Sequence, residues 1–136
     1  MKLNIRKLEE SDWSTLVEMW KMWPEWAHHP TKAMLPNNGT GGLIVEKGNT
    51  PVVAGFLYVT NSKVGWIEWI VSNKNYREKD RKKALELLIN SLEEIAKING
   101  NEVILSIGRS RPLIETHKKL GYTVDENPSY EIAKKI

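Results

Sequence analysis

One stretch of the sequence constrains the fold more than any other: residues 64–92, VGWIEWIVSNKNYREKDRKKALELLINSL. Its first part, residues 64–72, is mostly apolar or aromatic and predicts a β-strand. Its last part is helical in pattern, with apolar side chains at spacings of three, four and three: Leu85, Leu88, Leu92 and Ile95. The polar residues 73–79 connect the two parts. The sequence therefore predicts a strand that leads through a short connection into a helix.

The start of this predicted helix is basic, with cations at Arg77, Lys79, Arg81, Lys82 and Lys83. The first N–H groups of a helix lack partners and carry partial positive charge, so this position attracts anions. Basic side chains here oppose the helix dipole and do not stabilise the helix itself. The alternative is a charged, solvated first turn. We predict that a phosphate-bearing ligand binds at this position.

The composition is that of a globular protein, with 40% apolar and 27% charged residues, and we expect one domain over residues 1–136. The absence of cysteine excludes disulfides, thiolate metal sites and a cysteine nucleophile. No apolar run reaches membrane-spanning length and the N-terminal residues show no signal-peptide segment, so we expect a cytoplasmic protein without a membrane partner. The net charge of +3 is modest and much of it clusters at residues 77–83, which favours a local anionic ligand over a nucleic-acid-binding face.

The first half of the chain predicts a strand, a helix, a loop and a three-strand meander. Residues 2–8 form the first strand, and the apolar face of the helix includes Trp13 and Trp20. Residues 24–40 contain several prolines and asparagines and predict a long loop, which in a compact domain is often a binding loop. The meander then follows from turn signals between its strands, over residues 41–47, 51–60 and 64–72.

The second half predicts a helix over 80–98, a buried parallel strand over 102–107, a helix over 111–120 and final strands over 122–124 and 130–133. The order is β-α-β-β-β-α-β-α-β-β. This order predicts an α/β fold, in which a mixed sheet of about six to seven strands has helices on both faces.

This order resembles the GNAT acyltransferases (GCN5-related N-acetyltransferases) over nearly the whole chain. IRKLEESDWSTLVEMW resembles the first strand and helix of that family, SNKNYREKDRKKALELLI its acyl-CoA-binding segment, and ETHKKLGYTV its penultimate helix and following strand. The resemblance implies an enzyme that transfers an acetyl group from acetyl-CoA to a primary amine by direct attack. A small amine, a protein N-terminus or lysine, and a modified nucleobase all remain open as acceptors.

The resemblance also implies which residues contact acetyl-CoA: Ile70, Val71, Arg77, Lys79, Asp80, Arg81, Lys82, Lys83 and Ser110. A backbone amide near Ile70 or Val71 would stabilise the thioester oxygen. The acyl-CoA motif, R/Q-x-x-G-x-G/A, is divergent here, because Asp80 and Lys82 occupy its glycine positions when Arg77 is first. The charge of Asp80 would be offset by the cations or turned away as a helix cap. The alternative for Ser110 is a plain helix N-cap.

Two residues are predicted to carry the chemistry. Strand alternation places Trp66, Glu68 and Ile70 on one face and Ile67, Trp69 and Val71 on the other. Glu68 is the candidate base, acting through a water. The alternative is a strand glutamate paired with a lysine.

His117 occupies the position of the family tyrosine that protonates the departing thiolate, and an imidazole with a reference pKa of about 6.5 can donate a proton near neutral pH. The alternative is a surface histidine. Tyr122 and Tyr130 are the substitutes if His117 points away.

The acceptor pocket is predicted around the loop and the strand, with substrate-binding residues Trp23, Trp26, His28 and Trp66. The adjacent histidines of this loop lack a third ligand at a regular spacing, so we predict no metal site. The alternative function is a catalytically degenerate protein of this fold that binds a protein or nucleic-acid partner, although the acidic residues among the cations disfavour nucleic acid. A homodimer remains open.

Overall fold

The computed structural model of the chain describes residues 1–26 and 28–136. Over these residues, five strands form one sheet in sequence order: β1 Leu3–Lys7, β2 Gly42–Lys47, β3 Thr50–Val59, β4 Val64–Ser72 and β5 Val103–Ser106. Strands β1 to β4 are antiparallel neighbours, and β5 pairs with β4 in parallel. Three α-helices accompany this part of the sheet: α1 Trp13–Lys21, α2 Arg81–Ile98 and α3 Arg111–Lys119.

The helices bury the two faces of the sheet in separate clusters. On one face, Leu88 and Leu92 of α2 pack with inward residues of β2 to β4 such as Ile67. On the other face, Trp20 of α1 packs with Phe56 and neighbouring residues. Successive side chains of a strand point to opposite faces, so a sheet covered on both sides needs apolar residues on both faces. The predicted α/β class, with helices on both faces of a mixed sheet, is confirmed.

In its described residues, the predicted loop between α1 and β2 contains short 3₁₀ turns at Pro24–Trp26, Lys32–Met34 and Pro36–Gly39. The hydroxyl of Tyr58 on β3 donates a hydrogen bond of 2.7 Å to the carbonyl oxygen of Met34. This bond fastens the loop to the sheet, next to the strand β4.

Strand β5 was predicted to be parallel and buried, and only the first of these is confirmed. Val103 and Leu105 are 50% and 42% exposed, whereas Ile104 packs into the cluster under α2. The prediction of burial is wrong because β5 is the edge of the sheet, where a helix covers only one of its faces. A continuous apolar run does not distinguish this arrangement from a buried strand.

The predicted strands over 122–124 and 130–133 are absent, since residues 121–136 contain no strand in the described chain. Tyr130 and Ile132 are 92% and 94% exposed, so the apolar side chains of the second predicted strand are not buried against the sheet. Ion pairs of Glu126 with Arg111 and Lys118 hold this segment near α3 instead. The sheet therefore has five strands in the described residues rather than six or seven.

None of the helices that the structure describes is both long enough and apolar enough to cross a membrane.

Candidate active site

A β-bulge at Trp69 shapes the centre of β4. Ala54 of β3 lies opposite Val71, and Phe56 lies opposite Glu68, so Gly55 alone faces two residues of β4. Trp69 takes up the extra residue with a φ of 61°, in the left-handed region that non-glycine residues rarely adopt. Its indole Nε1 donates a 2.7 Å hydrogen bond to the Tyr58 hydroxyl, which helps to hold this conformation.

The bulge corrects the predicted alternation of β4. Glu68 does share a face with Trp66, whose Nε1 donates to the Glu68 carboxylate at 3.3 Å. Ile70 does not, because it packs with Ile67 in the cluster under α2. A Cβ at Gly55 would lie only 3.0 Å from Cγ1 of Ile70, so the glycine leaves room for this reversal.

The parallel strands β4 and β5 separate beyond Ile67 and Ser106, where their pairing ends. A cavity of about 920 Å³ opens at this point. Its wall includes Ile70, Val71 and Ser72 from the end of β4 and Ile107 from beyond β5, with further residues from the starts of α2 and α3. Carboxyl ends of neighbouring parallel strands are where α/β folds place ligands.

The wall of the cavity near α2 is cationic. Arg77, Arg81 and Lys82 line the cavity, and we call these three side chains the cationic helix start. Among the described residues, none of the three makes an ion pair within 4.0 Å. The backbone N–H groups of Lys82 and Lys83 likewise have no acceptor in the described chain. Free amides of an 18-residue helix and unpaired cations at one place produce a local positive potential that favours an anion.

Asp80 does not oppose this charge. Its carboxylate accepts a hydrogen bond of 3.0 Å from Lys47 Nζ and another from the Tyr76 hydroxyl. The bond from Tyr76 and, second to it, the bond from Lys47 hold the pKa of Asp80 below its ordinary value. Desolvation, together with the nearby carboxylates, raises the pKa of Tyr76 to about 12. Asp80 is the residue before α2, but its side chain makes no capping bond among the described residues. The carboxylate is thus neutralised on the β2 side, away from the cationic helix start.

At the opposite wall, Glu68 is buried and paired. Arg109 Nη2 donates to Glu68 Oε1 at 3.2 Å and also contacts the carboxylate of Glu131. Glu68 is 8% exposed, and Arg109, not Glu68, belongs to the described wall of the cavity. The alternative to a catalytic role was a strand glutamate paired with a lysine. Glu68 does form such an ion pair, with an arginine in place of the lysine.

Two indoles contact Arg109 at this end, and one of them, Trp26, lines the cavity. The guanidinium carbon of Arg109 lies 4.7 Å from the ring centroid of Trp26 and 5.3 Å from that of Trp69. The two rings are themselves 5.6 Å apart. The cation therefore lies in the angle between the rings, where their faces attract it.

His117 lies outside this arrangement. It is 4% exposed, and its Nδ1 is 2.8 Å from the carbonyl oxygen of Leu113, which can only accept, so Nδ1 carries the proton. Nε2 then accepts from the Ser106 hydroxyl at 2.7 Å. Burial lowers the pKa of His117, which favours this neutral form. The ring packs edge-on against Tyr122 in the angle between β5 and α3.

The structure brings together part of the predicted site. The predicted residues that line the cavity are Ile70, Val71, Arg77, Arg81, Lys82, Ser110, Trp23 and Trp26. The described wall does not include Lys79, Asp80, Lys83, His28, Trp66 or His117. Ser110 also caps α3, since its hydroxyl accepts from Leu113 N–H at 3.4 Å. The catalytic roles of Glu68 and His117 stay predictions.

Sequence reasoning did not identify Arg109. One signal was available, because Arg109 lies three residues after the end of β5 and the carboxyl ends of parallel strands commonly carry site residues. Its partners Glu68, Trp26 and Trp69 lie about forty residues or more away along the chain, and Glu131 lies 22 residues away. Local pattern does not show such contacts.

Solved structures share the fold of this chain. An acetyltransferase of Trypanosoma brucei covers 97% of this chain and 100% of its own, with a TM-score of 0.65 and 22% identity. A GCN5-related N-acetyltransferase from Ralstonia eutropha covers 99% of both chains, with a TM-score of 0.65 and 16% identity. This chain has the GNAT fold. A third GNAT-fold structure, a predicted acetyltransferase from Clostridium acetobutylicum with acetyl-CoA, covers 96% of both chains at a TM-score of 0.67 and 17% identity.

No family model and no curated protein matches the sequence. The likeness to the solved GNAT structures is therefore one of fold, and the chemistry of this chain must be argued from its own residues.

Proposed function

We propose that the chain is an N-acetyltransferase that moves an acetyl group from acetyl-CoA to a primary amine by direct attack. One observation carries this proposal: the cationic helix start, with its free amides, borders the opening between β4 and β5. The GNAT-fold structure from Clostridium acetobutylicum that contains acetyl-CoA supports the choice of co-substrate. When bound, acetyl-CoA would supply the acetyl group as an activated thioester.

The cationic helix start fits the phosphates of acetyl-CoA. Its three side chains carry charge that the described residues leave unpaired, and the amides of Lys82 and Lys83 add hydrogen-bond donors. The divergence of the motif is compatible with this role. Asp80 is neutralised by Lys47, and Lys82 contributes a cation to the wall of the cavity. The cavity volume of about 920 Å³ suits a ligand of this size.

We assign the backbone beside the bulge to the thioester oxygen. A bulge leaves one residue of its strand without a regular ladder partner. Ile70 and Val71 follow Trp69 and line the cavity, so an amide here can donate to an oxygen on which negative charge develops.

Glu68 is the proposed base. An alkylamine is protonated at neutral pH and must lose a proton before its nitrogen attacks, and Glu68 is the buried carboxylate at the acceptor end of the cavity. It takes that proton directly or through a water once Arg109 has moved aside. Both nitrogens of His117 are occupied by Ser106 and Leu113, so we do not assign protonation of the leaving thiolate to it.

The test is amine-dependent release of thiol from acetyl-CoA. The chain contains no cysteine, so a thiol reagent reports only the released coenzyme. A panel of alkylamines, peptides with a free N-terminus or lysine, and nucleosides would be screened with the intact chain. Thiol release that requires an amine and is lost in E68Q supports the proposal. Absence of release with every amine, at saturating acetyl-CoA, overturns it.

The second candidate is a binding module of the same fold. It is favoured by the ion pair of Arg109 with Glu68, which covers the base in the described structure. It predicts that acetyl-CoA produces neither heat in calorimetry nor a rise in melting temperature at millimolar concentration.

A further inference from the structure

The end of the cavity beside Glu68, where the acceptor amine is proposed to bind, is occupied by the cationic side chain of Arg109. We call the space bounded by Trp26, Trp69 and Glu68 the indole notch. The Arg109 guanidinium occupies it, 4.7 Å and 5.3 Å from the two ring centroids and 3.2 Å from the Glu68 carboxylate. Two aromatic faces and one buried carboxylate are what a protein uses to bind an organic cation.

The same side chain lies between the cavity and the proposed base. Arg109 is part of the described cavity wall, whereas Glu68 behind it is 8% exposed. An amine that enters the cavity therefore meets Arg109 before it meets Glu68. Access to the base requires the guanidinium to leave the indole notch.

Glu131 gives the displaced guanidinium a second partner. Arg109 Nη2 contacts the carboxylates of Glu68 and Glu131 together, and the Glu131 side chain is 62% exposed. Arg109 can therefore turn towards Glu131 without losing every ion pair. Such an exchange leaves the buried Glu68 without a cation unless another cation takes its place, and an unpaired buried carboxylate is unfavourable.

We propose that Arg109 is an internal stand-in for the acceptor, and that the acceptor is an alkylammonium ion whose charged nitrogen displaces it from the indole notch. This inference rests on the proposed function and names its substrate class. The entering ammonium satisfies the Glu68 carboxylate and both indoles. Neutral or anionic acceptors leave Glu68 unpaired and are excluded.

The displacement also leads into the chemistry. The bound ammonium donates one N–H proton to Glu68, and the nitrogen lone pair is then free to attack the thioester carbonyl. The C–N bond forms and the C–S bond breaks, with its electron pair leaving on the thiolate sulfur. The attacking nitrogen loses its second N–H proton to that thiolate or to solvent, which leaves the neutral amide and coenzyme A. The base is thus released only when a substrate cation has replaced Arg109.

The experiment measures binding of n-butylammonium to the intact chain, by calorimetry and by the NMR signals of the tryptophan indole N–H groups, without acetyl-CoA. n-Butanol is the neutral probe of equal shape. If the notch is free of Arg109 in one molecule in ten or fewer, R109A binds butylammonium at least about tenfold more tightly than the wild type. The double variant R109A/E68Q loses this gain, and n-butanol shows no gain in any variant.

R109Q keeps the side-chain stem without the charge and gives the same gain, so the test stands if R109A does not fold. K32A is the matched control, since Lys32 lies 5.6 Å from the Trp13 ring centroid and pairs with Glu10 on the protein surface. It binds butylammonium as the wild type does.

Equal affinity in R109Q and the wild type overturns the inference, as does equal gain for n-butanol. Both outcomes are read without acetyl-CoA, so they do not depend on turnover. If thiol release with alkylamines is found while R109Q shows no gain, the proposed function stands and this inference falls.

Discussion

At the α2 end of the cavity, Arg77, Arg81 and Lys82 carry charges that no described carboxylate neutralises, whereas at the β4 end Arg109 contacts two carboxylates and two indoles. The first end gains no stability from its cations, which repel one another at the positive pole of a helix. The second end satisfies its own charges. The comparison supports the proposal that the α2 end binds an anionic ligand. It also supports the proposal that Arg109 occupies the position of a ligand cation at the β4 end.

The largest expected effect is at the β4 end, where Glu68 pairs with Arg109. E68Q removes the proposed base and keeps the shape of the side chain, so turnover should fall by about 10²–10⁴-fold while acetyl-CoA still binds. Thiol release and calorimetry measure the two quantities separately. E46Q is the matched control, because Glu46 of β2 also pairs with an arginine, Arg6, at 2.8 Å. If E68Q and E46Q lose turnover equally, the chemical difference between the two glutamates is refuted.

The next effect concerns the bulge at Trp69, which positions the indole of Trp69 at the β4 end. W69A and W69G both lose the indole that packs on Trp26 and bonds to Tyr58, so each should lower the free energy of unfolding by about 2–4 kcal/mol. Since φ at this position is 61°, W69G should be about 1 kcal/mol more stable than W69A. Urea denaturation gives both values. A W69A chain at least as stable as W69G would show that the bulge is not retained.

At the open end, the triple variant R77A/R81A/K82A should weaken acetyl-CoA binding by about 10–100-fold, because charge-assisted hydrogen bonds to phosphate are lost in a partly screened site. Its folding stability should stay near that of the wild type, since none of the three side chains has an ion-pair partner among the described residues. K79A, an exposed cation outside the described wall, serves as the control and should bind like the wild type. Equal weakening in K79A would mean that general charge, not the site, binds the anion.

The smallest expected effect is on the pH dependence of folding stability, and it comes from His117, which lies at neither end of the cavity. Burial lowers its pKa in the folded chain, so between the folded pKa and the reference value of about 6.5 the unfolded chain binds more protons. Stability should therefore fall as the pH drops below about 6.5, and this fall should be smaller in H117Q. Melting temperatures at pH 7.5 and at lower pH values measure it. A wild-type chain that gains stability on acidification in this range would contradict the neutral assignment.

The local part of the site was predictable from sequence. The strand, the basic connection and the helix that produce Arg77, Arg81 and Lys82 are neighbours in the chain, so pattern and helix-end electrostatics place them together. Trp23 and Trp26 were predicted for the pocket because they lie at the start of a long loop, and such a loop in a compact domain is often a binding loop.

The remainder depends on contacts that pattern does not contain. Strand alternation cannot show that a tryptophan adopts a positive φ, and this bulge moved Ile70 to the other face. The position of Arg109 depends on Trp26, Glu68 and Trp69, which are distant in sequence. The last two predicted strands are absent from the described residues, because a short segment forms a strand only where it pairs with the edge of a sheet.

The central claim, that the cationic helix start beside the β4–β5 opening binds acetyl-CoA, is tested most directly by calorimetric titration of the wild-type chain at two salt concentrations. We expect one saturable site whose affinity falls as salt is raised, because unpaired surface cations are screened. No heat and no rise in melting temperature at millimolar acetyl-CoA would contradict it.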